Sequence, residues 1–99
     1  MAYARKIDKI QPLVVKALRE YGAQVFHLHT VAHGIPDILC CYADNSILME
    51  IKNGADKKLT PDQIKLFANW IGGPLHRVNS VQEAIEVLKL YETDEDSYE

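Results

Sequence analysis

The sequence predicts an α/β domain, a central mixed sheet flanked by helices, in the order helix, strand, strand, strand, helix, strand, helix. Two observations carry this reading. Segments at 8–21, 61–71 and 80–91 repeat apolar residues at three- and four-residue steps, the period of one helix face. Between them, the stretches 23–31, 37–43, 46–52 and 75–78 are short and apolar or alternating, as strands are, and are bounded by turn residues.

In the first helix the apolar positions are Ile10, Leu13, Val14, Ala17, Leu18 and Tyr21. Asp8 is the expected N-cap, with Gln11 three residues on as in a capping box. Pro12 falls in the first turn, where its missing N–H matters least, and Gly22 is the stop. "AQVFHLHTV" alternates Val25, His27 and His29 against Phe26 and Leu28, and "AHGIP" turns. "DILCCYA" and "SILMEIK" form a hairpin with its turn at Asp44-Asn45. After the polar loop 53–60, Thr60 caps a helix with Pro61 first and Gln63 third, a capping box. Ile64, Leu66, Phe67, Trp70 and Ile71 give that helix its apolar side, and Gly72-Gly73-Pro74 ends it. "LHRV" is the last strand. Ser80 caps the last helix with Glu83 completing the box, and Val81, Ala84, Ile85, Val87 and Leu88 face inward.

Ninety-nine residues support one domain, read as 1–90, followed by an acidic tail, 91–99, that is expected to be disordered. No apolar run approaches the roughly 18 residues of a membrane span, and "MAYARKIDKIQ" lacks a signal-peptide core. A cytoplasmic protein with no membrane partner is expected. Cys40 and Cys41 are adjacent, point to opposite faces of a strand and read as reduced thiols. The net charge is −3, but the tail holds five of the fourteen acids and none of the eleven bases. The body is therefore slightly basic, which permits a polyanionic partner without requiring one.

The hairpin "GIPDILCCYADNSILMEIKNG" carries Asp37, Glu50 and Lys52 on apolar strands, where charge is costly unless paired, metal-bound or hydrated. With the turn centred between Asp44 and Asn45, Asp37 lies opposite Lys52 and Leu39 opposite Glu50, so the three charges share one end of one face. Two close carboxylates repel, and a hard divalent cation resolves the conflict. Magnesium takes one or two carboxylates plus waters and phosphate, and the Ile51 carbonyl is a further candidate ligand. Such an ion polarises a phosphoryl oxygen and acidifies water. Lys52 can hold or deprotonate that water, or stabilise transition-state charge.

"GIPD", the hairpin and "EIK" together resemble the PD-(D/E)xK nuclease superfamily, and more narrowly its VRR-NUC group of small nucleases. "LREYGAQVFHLHT", "LTPDQIKLF" and "GGPLHRVNSVQEAIEVL" extend the resemblance over roughly residues 7–90. It implies a restriction-endonuclease-like fold with Asp37 and Glu50 as metal ligands, Lys52 as the catalytic lysine and Gln63 as the motif glutamine near water or phosphate. It implies Mg2+, with Mn2+ able to substitute. The group's first-helix glutamate falls here at Ile7, so Asp8 is the candidate substitute, and Arg77 stands for the arginine of the last strand. The implied activity is hydrolysis of DNA phosphodiester bonds to 5′-phosphate and 3′-hydroxyl ends.

Several residues have plainer readings. Gln63 serves a capping box whether or not it also serves catalysis. His27, His29 and His33, with Cys40 or Cys41, match no ordinary zinc spacing. His33, Lys57, Lys58, Lys65 and Arg77 are candidate phosphate contacts, set against a solvated surface. With no groove-entering element identified, structure-selective rather than site-specific cutting is expected, and the resemblance implies branched DNA such as four-way junctions as the substrate. Symmetric cutting by a chain with one site implies a two-fold homodimer. Its interface candidates are Trp70, Phe67 and the 61–71 helix, or Leu90 and Tyr91. The alternatives are a non-catalytic nucleic-acid-binding module on the same fold, and a flap or nicking nuclease subunit that needs a partner protein.

Overall fold

The computed structural model describes residues 8–28, 30, 31 and 33–92. Its elements follow the order α1 (Gln11–Tyr21), β1 (Gln24–His27), β2 (Ile38–Tyr42), β3 (Asn45–Ile51), α2 (Pro61–Asn69), β4 (Leu75–Val78) and α3 (Val81–Leu90). The strands form one mixed sheet in the order β1-β2-β3-β4; β1, β2 and β3 are antiparallel, and β4 runs parallel to β3. The fold is therefore α/β, with α2 as the crossover between two parallel strands. Among the described residues no helix is long and apolar enough to cross a membrane.

Alternation along the strands divides the sheet into two unlike faces. Val25, Ile38, Cys40, Ile47, Met49, Ile51 and Val78 point to one side and are buried against Val14, Val15 and Leu18 of α1 and Ala84 and Leu88 of α3. On the other side, Phe26, Leu39, Leu48 and Leu75 stand opposite one another in a single row across all four strands. None of these four is fully buried, and Phe26 is half exposed.

The hairpin turns one residue earlier than expected. Ala43 and Asp44 occupy the turn with φ of 50° and 64°, and Tyr42 pairs with Asn45. Two left-handed residues give the twist a two-residue hairpin needs. Asn45 reaches back instead of sitting in the turn, its Nδ2 donating to Ala43 O at 2.8 Å. The register shifts by two residues, so Ile38 faces Met49 and, continuing the ladder, Asp37 is level with Glu50 rather than Lys52. An even shift leaves every side chain on its expected face.

Other boundaries also moved for local reasons. Asp8 does not cap α1: the N-cap is Ile10, without a side-chain bond. Asp8 accepts the Ile10 N–H through Oδ1 (3.3 Å) and the Asn53 N–H through Oδ2 (3.0 Å), tying the helix entry to the end of β3. Gln11 lies on the same stripe as Val14, Val15 and Leu18, so it is drawn into the interior instead of completing a box. Strand β1 stops at His27 instead of reaching Val31, because the chain turns with Val31 N–H bonding Leu28 O. Helix α2 stops at Asn69; Trp70 is extended and its Nε1 donates to Gly73 O at 2.9 Å. That leaves Ile71, expected on the apolar side, 98% exposed. The caps at Gly22, Thr60 and Ser80 form as expected, except that Glu83 returns to the N–H of Asn79.

At the hairpin-turn end, the Tyr21 and Tyr42 hydroxyls both donate to Glu92 Oε2, at 3.1 and 2.7 Å. Tyr91 bonds His76 Nε2 at 2.6 Å. Tyr91 and Glu92, expected within the tail, are thus packed on the body, and residues 93–99 lie outside the described residues.

Two outcomes follow. Replacing Ala43-Asp44 by Asn-Gly relieves two left-handed residues and should raise the denaturant midpoint by the equivalent of roughly 1 kcal/mol. The Tyr42 phenol is pushed up to about 12, first by its hydrogen bond to Glu92 and then by desolvation. A raised phenol pKa favours folding fully below the ordinary value of 10.0 and loses that contribution as pH rises through 12. Ultraviolet titration of tyrosinate should show Tyr42, and Tyr21 with it, ionising above the ordinary value of 10.0, with both moving back toward that value in Glu92→Ala.

Candidate active site

The far end of the hairpin, away from Glu92, holds the expected charges. Asp37 and Glu50 are 5% and 2% exposed, and both lie on the face opposite α1 and α3. Strand pairing ends at Ile38 and Met49. Beyond it, Asp37 Oδ2 accepts the Ile51 N–H at 2.7 Å. Lys52 N–H bonds Val78 O on the β4 side, so the backbone of Ile51 faces β2. Pro36, just before Asp37, has no N–H with which to extend the ladder past Ile38 and Met49.

Glu50 is held from two directions through the same oxygen. Gln63 Nε2 donates to Glu50 Oε2 at 2.9 Å, and Lys52 Nζ lies 3.6 Å from it. Gln63 is itself buried, and its Oε1 accepts the Thr60 N–H at 2.8 Å. One amide therefore both completes the cap of α2 and holds Glu50. A buried carboxylate is tolerable only with such partners.

The "HGIP" loop packs on the first turn of α2. His33 and Gly34 have φ of 68° and 76°. A Cβ on Gly34 would lie 2.7 Å from the backbone of Asp62 and 2.9 Å from Gln63 N, so the loop rests directly on the first turn of α2. Only glycine meets both demands.

The remaining candidates are more scattered. Asp8 reaches the site only indirectly, through the backbone of Asn53. His33, Lys57, Lys58 and Lys65 are exposed. Arg77 lies level with Glu50 on β4, but its guanidinium is turned to the 54–57 loop. Among the described residues no group of three or more His, Cys, Asp or Glu side chains is placed to hold a metal ion. The donor set is two carboxylates and a carbonyl, all oxygen, which fits magnesium with waters completing its shell. Zinc finds no such set among the described residues. Cys40 is buried in the core, where desolvation first and Cys41 second push its thiol up to about 11. His27 Nδ1 is 3.1 Å from Gln11 Nε2, and His29 lies outside the described residues.

Sequence reasoning missed Gln11, which is 1% exposed with its Oε1 lacking a hydrogen-bond partner. Its spacing from Val14, Val15 and Leu18 is the signal that places it inside. It also missed Gly34, for which the turn was legible but the contact with α2 was not. No protein-family model, curated protein or solved structure matches the chain.

Gly34→Ala should destabilise the fold by about 2–4 kcal/mol, combining left-handed strain with a backbone clash. Hydrogen exchange should quicken first at the Thr60 amide, which depends on the seating of Gln63. Unchanged stability and exchange would show that the loop yields without disturbing α2.

Proposed function

We propose that the protein is a metal-dependent DNA endonuclease of the PD-(D/E)xK type, resembling the VRR-NUC group, with a restriction-endonuclease-like core. The supporting observation is the buried pair Asp37 and Glu50 on one sheet face, with Lys52 and Gln63 both at Glu50 Oε2. A structural role alone gives no reason to bury two acids on adjacent strands beside a lysine.

In this reading Asp37, Glu50 and the Ile51 carbonyl hold Mg2+, with Mn2+ able to substitute. The ion supplies a Lewis acid for the scissile phosphoryl oxygen. Gln63 keeps the Glu50 carboxylate in one rotamer. The Lys52 ammonium, partly exposed beside Glu50, offers charge to the attacking water or the transition-state phosphorane oxygens. Water oxygen bonds to phosphorus, the P–O3′ bond breaks, and the 3′ oxygen leaves with a proton.

The substrate class is branched DNA, as the resemblance to the VRR-NUC group implies. A two-fold homodimer supplies a second site. Ile64 on α2 and Ile71 just after it are exposed apolar groups that support assembly through this side. The same exposure favours a partner protein as the second reading.

The test is a Mg2+-dependent digest of four-way junctions, flaps and linear duplex by the purified chain, with light scattering to count subunits. Lys52→Ala should lower cleavage by about 10²–10³-fold while metal binding persists. Asp37→Asn should lose both. Cleavage that survives Asp37→Asn, or a requirement for no metal, would refute the assignment.

A further inference from the structure

We propose that Arg77 is a positioning residue that pins the 53–58 loop, and so fixes Lys57 and Lys58 as the phosphate-binding groups at the mouth of the Asp37–Glu50 site. The phosphate half of this rests on the nuclease reading, and the pinning half does not.

Both ends of the loop are anchored on Glu50. It leaves β3 at Lys52, whose Nζ is 3.6 Å from Glu50 Oε2. It returns at Thr60, whose N–H bonds the Gln63 side chain that donates to the same oxygen. Between these anchors the loop has almost no apolar hold: Asn53 and residues 55–58 are exposed. Arg77 supplies the hold instead. Its Nε donates to Asn79 Oδ1 at 2.7 Å, which aims the guanidinium. Its Nη2 lies against the carbonyls of Gly54 (3.3 Å), Ala55 (3.4 Å) and Lys57. The loop is shaped to present those carbonyls. Gly54 has φ 107°, its N–H bonds Asn79 O, and the Lys57 N–H bonds Gly54 O.

A guanidinium committed to loop carbonyls is a poor phosphate contact, whereas the lysines it positions are exposed: it holds the carbonyl of Lys57 itself, and Lys58 is the next residue. The planar fork matters, because it reaches Asn79 through Nε and the loop carbonyls through Nη2, two separate nitrogens in fixed directions that a single ammonium does not provide. Arg77→Lys should therefore behave like Arg77→Gln.

Two measurements on the full chain separate the halves. Limited trypsin digestion, mapped by mass, should cut after Lys57 or Lys58 at least about 10-fold faster in Arg77→Gln and Arg77→Lys than in the unaltered protein, with circular dichroism unchanged. An unchanged rate in a folded variant overturns the clamp. If Arg77→Gln does not fold, Asn79→Ala, which removes only the group that aims the guanidinium, should quicken the same cuts; no change there overturns it too. Binding of a labelled four-way junction without metal, across a salt series, reads the second half. Lys57→Ala with Lys58→Ala should reduce the salt slope by about 2. Adding Arg77→Gln to that pair should cost nothing more. A further fall in slope of about 1 would make Arg77 a direct phosphate contact and overturn the proposal. If the unaltered protein binds no DNA, the nuclease reading and the phosphate half fail together, and the trypsin result still decides the clamp.

Discussion

The Gln63 side chain is the constraint on which the site depends. One amide accepts from the Thr60 N–H and donates to Glu50 Oε2. The first contact starts α2, and the second fastens that start to the middle of the sheet. Without it α2 has little to hold it, since Gln63 is the only buried residue of the helix. Helix position and carboxylate orientation are thus set by the same two hydrogen bonds, and neither can drift without the other. The Gly34 contact adds a third body, because the loop before Asp37 rests on the same turn.

The two sheet faces are built on different principles. Under α1 and α3 the contacts are apolar and close. On the other side a half-covered apolar row, Phe26, Leu39, Leu48 and Leu75, lies one pleat away from Asp37 and Glu50. The greasy row lowers the local dielectric beside the acids, which strengthens every electrostatic contact among Glu50, Lys52 and Gln63. It also leaves the domain with unsatisfied apolar surface next to its most polar site.

Much of this was legible in the residues because period and capping chemistry are local. The seven elements, the Thr60 box and the shared face of Asp37, Glu50 and Lys52 follow from spacing alone. The turn was misplaced because Asp44-Asn45 has better turn propensity than Ala43-Asp44. The observed turn instead lets Asn45 Nδ2 bond Ala43 O, a local contact that turn propensity does not rank, and it pairs Ile38 with Met49 and Cys40 with Ile47. Asp8 looked like a cap because its partner, the Asn53 N–H, is 45 positions away. Arg77 looked like a surface cation for the same reason: its acceptors are carbonyls of a loop more than twenty residues earlier. Side chains that serve distant backbone leave no local pattern to read.

The hairpin has a consequence for how such a chain can change. Its acids face the same way because the loop length is right modulo two. Adding or removing residues in pairs at the tip would lengthen or shorten the arms and leave both acids facing α2. A single-residue insertion anywhere between Asp37 and Glu50, unless absorbed as a bulge, would rotate one of them into the apolar core beside Leu18 and Leu88. Indels in this stretch should therefore be tolerated by parity rather than by size, with the sheet acting as a ratchet whose tooth is two residues wide.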